Sequence, residues 1–197
     1  MALLSRRLPG AAQAAALLLL AGGLAAATAA AQPLATSEYA VKAAFLYNFA
    51  RFVEWPATAF RGPRDPMTFC VLGEDPFGGE LDQMISGKTV MGRQIVVRRV
   101  AQLAGLEECR ILFVSSSERP RLAQVLAAVG DRAVLTVGEE ESFVRAGGII
   151  GFVIRQNRVR FQVDRGAAAR AGLAISSQLL ELAEAVTGGE RRGRRPE

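Results

Sequence analysis

The chain has 197 residues, of which 50% are hydrophobic and 22% are charged, a composition typical of a globular protein with one sizeable core. Its formal charge of +5 comes mostly from the two ends, since Arg6 and Arg7 near the start and an Arg-rich tail after residue 189 leave a nearly neutral middle. A nearly neutral domain lacks the basic surface of a nucleic-acid-binding protein, so no nucleic-acid partner is expected. The chain has no histidine, which removes the most common general base and metal ligand.

Residues 1–31 have the pattern of a secretory signal peptide. Arg6 and Arg7 precede a long apolar stretch that ends in small residues, which predicts cleavage before Gln32. The alternative is an uncleaved N-terminal anchor. No later segment has the run of about 18 uncharged apolar residues that a membrane span needs. The mature protein is therefore expected to be exported and soluble.

The mature chain begins with a predicted helix over residues 38–53, which Pro56 prevents from continuing. Beyond this helix, short apolar or alternating runs predict strands, and the segments between them predict helices. The predicted strands cover residues 67–73, 93–100, 109–116 and 132–138, and the predicted helices cover residues 76–85, 119–130 and 139–147.

A hairpin is predicted over residues 148–164, with Gln156-Asn157 at its turn. Residues 165–186 are predicted to be helical with an interruption near Gly172, after which Ser176 could cap the last helix. Residues 190–197 are predicted to form a disordered basic tail. Alternating strands and helices indicate an α/β protein, namely a layered α/β/α fold with a largely parallel sheet and an antiparallel C-terminal hairpin. One domain is expected to span residues 32–189.

Aromatic side chains are concentrated in and just after the first predicted helix. Phe45, Phe49 and Phe52 recur at helical spacing on one face, so we favour the interpretation that they anchor the helix on the sheet. The alternative is an aromatic ligand cleft, in which Tyr47 and Trp55 stack on a planar or sugar ligand.

No arrangement of residues points to catalysis. Residues 86–89 read SGKT, the end of a phosphate-binding loop, but Asp82 replaces the first glycine and the motif follows a helix rather than a strand. Residues 146–151 lack the leading glycine of a dinucleotide-binding loop. Paired acids at residues 74–75 or 139–141 could serve sugar hydrolysis, yet interactions with helix N-termini explain them more simply. We therefore expect no enzyme activity, no cofactor and no metal site.

The two cysteines, Cys70 and Cys109, each lie in a predicted apolar strand. In an oxidising compartment they are candidates for one disulfide. Two buried free thiols are the alternative.

Several stretches, taken in order from Glu38 to Val186, jointly resemble the YfiR family of periplasmic proteins. The most characteristic are an opening VKAAFLYNFARFVEWP, a middle FCVLGEDPFGGELD, the stretch VLTVGEEESFVRAGGIIGFV and a final AGLAISSQLLELA. The resemblance covers nearly all of the expected mature domain.

This resemblance implies a regulator that binds the periplasmic part of an inner-membrane diguanylate cyclase and holds it inactive, which lowers cyclic-di-GMP and biofilm formation. An outer-membrane, peptidoglycan-binding lipoprotein would sequester the regulator. The family's partner-facing surface maps onto Phe152, Gln162 and Ala168. Cys70 and Cys109 match one cysteine pair of the family, while a second pair found in some members is missing. A second copy of the chain is a further candidate partner, and a periplasmic small-molecule sensor is the alternative function.

Overall fold

The structure is a computed structural model, and it describes residues 37–188. The predicted signal peptide (residues 1–31) and the predicted basic tail (residues 190–197) lie outside the described residues. Between residues 37 and 188, none of the helices has the length and apolar character that crossing a bilayer requires.

Helices and short strands alternate along the described residues. The helices are α1 (Glu38–Phe52), α2 (Glu80–Ile85), α3 (Leu122–Val129), α4 (Arg165–Arg170) and α5 (Ser177–Glu181). The strands are β1 (Val53–Glu54), β2 (Met67–Leu72), β3 (Thr89–Val90), β4 (Arg93–Val100), β5 (Ile111–Val114), β6 (Leu135–Gly138), β7 (Ile150–Arg155), β8 (Arg158–Asp164), β9 (Ala174–Ile175) and β10 (Ala185–Thr187).

The main sheet has eight strands in the order β10-β8-β7-β6-β5-β2-β4-β3. Its five central strands, from β4 to β7, are parallel, and β10 is parallel to β8. The two antiparallel pairs are β3–β4 and the β7–β8 hairpin. At the hairpin turn, Gln156 and Asn157 both have the positive φ (49° and 58°) that a tight two-residue turn requires. The predicted largely parallel sheet with an antiparallel C-terminal hairpin is confirmed.

Two hydrophobic clusters lie on opposite faces of this sheet. Because successive residues of a strand point to opposite faces, Phe69 of β2 belongs to the cluster under α1 and α2, and Cys70 belongs to the cluster under α3. The predicted layered arrangement is therefore confirmed.

Helix α1 begins and ends close to the predicted positions. The side chain of Ser37 accepts a hydrogen bond from the backbone N–H of Ala40 (3.0 Å), which caps the first turn. The helix ends at Phe52, where the chain enters β1. β1 pairs with β9, so the end of α1 is tied to the C-terminal part of the chain.

One predicted helix is wrong, and a second prediction is only partly right. Residues 139–147 form turns rather than an α-helix, since the Phe143 ring occupies the space beside Gly138 and Gly148. A Cβ atom at Gly138 or Gly148 would lie 2.2 or 2.1 Å from that ring. Over residues 165–186 the predicted interruption near Gly172 and the Ser176 cap are confirmed, since α4 ends at Arg170 and the Ser176 side chain accepts a hydrogen bond from the backbone N–H of Leu179 (3.3 Å) at the start of α5. The last of these residues form β10 instead of helix, so that part of the prediction is wrong.

A disulfide joins Cys70 of β2 to Cys109, just before β5. Their Cα atoms are 5.7 Å apart, and both residues are buried in the cluster under α3. The bond therefore fixes the segment before β5 against β2. The disulfide prediction is confirmed, and the free-thiol alternative is wrong.

Candidate functional site

The β7–β8 hairpin extends beyond its neighbours in the sheet. β6 pairs with β7 only as far as Gly151, and β10 pairs with β8 only from Gln162 onward. Within the described sheet, residues 152–155 and 158–161 are thus paired only with each other, apart from the Phe161 oxygen, which accepts from the backbone N–H of Glu184 (2.8 Å). We call residues 152–161 the arm. Along most of the arm, both outer edges present backbone groups that can pair with another strand.

The arm carries positive charge and no negative charge. Its sequence, FVIRQNRVRF, contains Arg155, Arg158 and Arg160 and no acidic residue. Arg155 is directly opposite Arg158 in the register, and Arg160 lies on the same side of β8 as Arg158. Arg155 pairs with Glu141 (3.3 Å), whereas Arg158 and Arg160 form no ion pair with any residue that the structure describes. Because like charges on opposite residues repel, an acidic partner would stabilise this surface.

Four phenylalanine rings hold the base of the arm against α1. The Phe49 ring centroid lies 5.7 Å from that of Phe152 and 5.0 Å from that of Phe161. The Phe45 ring lies 6.0 and 5.5 Å from the same two rings. Because Phe49, Phe152 and Phe161 are fully buried, the anchoring interpretation of the aromatic segment is confirmed for α1.

Lys42 is a buried cation beside the arm, with only 3% of its surface exposed. Its Nζ atom lies 2.6 Å from Oε1 of Glu38 and 2.7 Å from Oε2 of Glu139. Glu139 also accepts hydrogen bonds from the Tyr39 hydroxyl (3.2 Å) and the backbone N–H of Ser116 (3.1 Å). We call these five residues the Lys42 network. The network joins the first turns of α1 to the loops that follow β5 and β6.

Lys42 stays protonated at neutral pH, since its pKa is raised. Burial alone would lower the pKa of Lys42, but hydrogen bonds to Glu139 and Glu38 raise that pKa above its ordinary value. Burial, aided by the negative charge of Glu139, raises the pKa of Tyr39. A protonated lysine with two carboxylate partners is neither a nucleophile nor a general base. The arrangement is therefore suited to holding the loops in place by electrostatic attraction.

A cavity of about 390 Å³ lies between the Lys42 network and the arm. Arg119 pairs with Glu140 at 2.6 Å, and Arg155 of the arm pairs with Glu141 at 3.3 Å. The acids after β6 therefore pair with cations of other segments instead of starting the predicted helix. The cavity lies at the carboxyl ends of the parallel strands, where α/β proteins usually bind their ligands.

The crevice between β2 and β5, where the strand order reverses, is filled by the protein's own residues. The backbone N–H of Glu74 donates to Oγ of Ser117 (3.0 Å), and a Cβ atom at Gly73 would lie 2.4 Å from that oxygen. Asp75 accepts a hydrogen bond from Nε of Arg99 (2.9 Å). Asp75 is therefore engaged in an ion pair rather than arranged with Glu74 as a pair of catalytic acids.

The three predicted partner-facing residues lie at the base of the arm and on α4. Gln162 is half-buried, on the same side of β8 as Arg158 and Arg160. Phe152 and Ala168 are only 1% and 2% exposed, so they could shape a partner surface only from beneath. Their role in partner binding stays a prediction.

The two predicted ligand-stacking residues differ in exposure. Tyr47 is half-buried on α1, with Nζ of Lys88 4.6 Å from its ring centroid. Trp55 is 6% exposed, and its Nε1 has no hydrogen-bond partner among the described residues. Neither residue lines the cavity beside the Lys42 network. Their role in ligand stacking also stays a prediction.

Reasoning from the sequence assigned no function to Lys42 or to the arginines of the arm. Two features of the sequence could have indicated these residues. Lys42 follows Glu38 by four residues, the spacing of a helical ion pair. The arm contains three arginines and no acid. The pairing of Lys42 with Glu139 could not be predicted, since these residues are 97 positions apart.

This geometry defines a disulfide-bonded α/β domain with a projecting basic arm. A sequence model of the family DUF4154, described as YfiR/HmsC-like, matches residues 39–184. The chain belongs to this YfiR/HmsC-like family, as the resemblance predicted.

A solved structure with low sequence identity shows the same general fold. The chain is similar to a conserved domain protein from Vibrio cholerae, with 11% identity and a TM-score of 0.52, over 77% of this chain and 60% of that chain. It thus spans 60% of that protein's length. An ABC domain in complex with L-Trp from Streptococcus pneumoniae is similar at 12% identity and a TM-score of 0.46, over 60% and 54% of the two chains, too weakly to carry an argument. No curated protein matches the chain.

Proposed function

We propose that this chain is a periplasmic regulatory protein that binds the periplasmic part of an inner-membrane diguanylate cyclase and holds the enzyme inactive. It would thereby lower cyclic-di-GMP and biofilm formation. Membership of the YfiR/HmsC-like family over residues 39–184 is the observation that carries this proposal. The buried disulfide fits an exported protein, because disulfides persist in oxidising compartments. Repression requires tighter binding to the inactive cyclase than to the active one.

The arm is the surface that we propose for this contact. Its free strand edges suit addition of a strand from the partner, and Arg158 and Arg160 suit acidic side chains. The phenylalanine cluster holds the base of the arm in place, so little ordering is needed on binding. An outer-membrane, peptidoglycan-binding lipoprotein would release the cyclase by competing for this surface. A second copy of the chain is the other candidate occupant.

Deletion of the gene tests the proposal in cells. We expect cellular cyclic-di-GMP to rise and to return to its original level when the wild-type gene is supplied. A gene carrying Arg160→Glu should complement poorly, because the charge reversal repels an acidic partner. A gene carrying Arg64→Glu, an exposed arginine outside the arm, should complement fully. Unchanged cyclic-di-GMP after deletion would count against repression.

A further inference from the structure

A second cavity, of about 510 Å³, lies at the opposite end of the sheet from the arm. It is at the amino ends of β5 and β6, where the backbone N–H of Arg110 donates to the C=O of Thr68 (2.8 Å). Three arginines and two glutamates line it beside an apolar strip. The charged residues are Arg61, Glu107, Glu108, Arg110 and Arg132.

Arg110 is the central cation of this cavity and is only 8% exposed. Its Nη1 atom donates to the backbone oxygens of Glu107 (3.1 Å) and Cys109 (2.9 Å), and its Nε has no hydrogen-bond partner among residues 37–188. The carboxylate of Asp65 approaches Nη2 only to 3.8 Å, which is longer than a hydrogen bond. A buried guanidinium with one distant carboxylate is incompletely neutralised.

Neighbouring arginines add to this positive charge. The guanidinium carbons of Arg93 and Arg110 lie 3.8 and 5.2 Å from the centroid of the same ring, that of Phe60. The carboxylate of Asp65 is shared between Arg110 and Arg61. It accepts a hydrogen bond from the backbone N–H of Arg61 (3.0 Å) and pairs with Nη2 of the same residue (3.4 Å). Burial lowers the pKa of Arg110, and the charges of Arg61 and Arg93 lower it further, whereas those of Asp65 and Glu108 oppose the shift.

Arg132 supplies an exposed cation at the rim of the cavity. Its Nη1 donates to the backbone oxygen of Ala128 (2.8 Å), and it forms no ion pair within the described part of the chain. Of the two glutamates, Glu108 is paired with Arg98. Glu107 is then the one lining carboxylate without a described cationic partner, so positive charge predominates.

We propose that this cavity binds a small organic anion whose carboxylate or phosphate group pairs with Arg110 and Arg132. A guanidinium can donate two parallel hydrogen bonds to such an oxyanion. The bound anion would then neutralise the charge of Arg110, whose Nη2 atom lies 3.8 Å from the nearest oxygen of Asp65. The apolar residues Ala133 and Val134 line the cavity and would contact the rest of the ligand. The site is separate from the arm, so its test is independent of the proposed repressor function.

Isothermal titration calorimetry of the purified protein with inorganic phosphate and with succinate tests this proposal. The ionic strength is held constant with sodium chloride. We expect saturable one-to-one binding of at least one anion, with a Kd below about 10 mM. Arg132→Gln should weaken that binding about tenfold, because one charge-assisted hydrogen bond is lost. Arg64→Gln, an exposed arginine outside the cavity, is the matched control and should leave the Kd unchanged.

Three outcomes would overturn the proposal. The first is the absence of saturable heat with both anions. The second is equal weakening by Arg132→Gln and Arg64→Gln, which would indicate a general effect of net charge. The third is binding that survives Arg132→Gln but is lost in Arg160→Gln, which would place the anion on the arm. Because Arg132 is exposed, its substitution tests the site without disturbing the core.

Discussion

The Nζ atom of Lys42 lies 2.7 Å from the carboxylate of Glu139, which ties α1 to the loop after β6, and 2.6 Å from that of Glu38 within α1. Its partner Glu139 is also buried, with 7% of its side chain exposed. Breaking a buried ion pair on one side leaves the other charge uncompensated, which costs far more than losing a surface pair. At the scale of single residues, this pair is therefore the most sensitive part of the candidate site.

Lys42→Met should lower the free energy of unfolding by about 3–5 kcal/mol, because Glu139 stays buried without its cation. Urea denaturation measures this loss. The chain's other lysine gives the matched control: Lys88 is half-buried and forms no ion pair among the described residues, so Lys88→Met should cost less than about 1 kcal/mol. The double variant Lys42→Met/Glu139→Gln should recover part of the loss. Equal losses in the two lysine variants would show that the ion pair is unimportant.

Local interactions explain which features of single residues could be predicted. The helix start at Ser37 and the turn at Gln156-Asn157 depend on neighbours within a few positions. The contact between Lys42 and Glu139 depends on the strand order, because it joins residues 97 positions apart. A sequence read segment by segment does not contain that information.

At the scale of elements, α1 and the arm form one unit. The phenylalanines of α1 pack on Phe152 and Phe161, which are opposite each other at the base of the arm. Beyond them, residues 154–158 at the tip of the arm are exposed. The order of the arm should therefore depend on α1 more than on the rest of the sheet.

Phe45→Leu should loosen the arm while leaving the central strands intact. Removing this half-buried ring deletes aromatic contacts with Phe152 and Phe161, each worth about 0.5–1.5 kcal/mol. Hydrogen–deuterium exchange should become faster in residues 158–161 and stay unchanged in residues 67–72.

Phe52→Leu is the control for that experiment. Phe52 is another half-buried phenylalanine of α1, and it lies outside the four-ring cluster. The Phe52→Leu variant should leave hydrogen–deuterium exchange in the arm unchanged. If both variants accelerated exchange equally throughout the sheet, the arm would not be a unit with α1.

The elements that the sequence failed to predict depend on long-range pairing. β10 pairs with β8, and the backbone N–H of Glu184 donates to the oxygen of Phe161 (2.8 Å), so the sheet takes the place of the predicted helix. Residues 139–141 were expected to start a helix, but their carboxylates pair with Lys42, Arg119 and Arg155. Helical periodicity and local charge reveal neither the pairing of β10 with β8 nor the ion pairs of residues 139–141.

At the scale of the whole molecule, the disulfide supports the cluster under α3. Cys70 and Cys109 are 1% and 0% exposed and lie 39 positions apart in the sequence. Their bond also fixes the backbone oxygens of Glu107 and Cys109, which accept hydrogen bonds from Arg110. The sequence allowed the bond to be predicted because it contains two cysteines and carries the pattern of a signal peptide, from which export to an oxidising compartment was expected.

Cys70→Ala/Cys109→Ala should lower the free energy of unfolding by about 3–4 kcal/mol, as expected for opening a loop of this length. Chemical denaturation with and without dithiothreitol measures the effect. The reductant should destabilise the wild-type protein and leave the double variant unchanged. A wild-type protein equally stable under both conditions would indicate that the bond contributes little.

The central claim is that the arm binds and represses a membrane cyclase. The most direct test measures cyclic-di-GMP synthesis by membranes that contain the cyclase while the purified protein is added. Synthesis should fall saturably, Arg160→Glu should raise the midpoint concentration about tenfold or more, and Arg64→Glu should leave it unchanged. Synthesis that is unaffected by the wild-type protein, or is inhibited equally by both variants, would contradict the account.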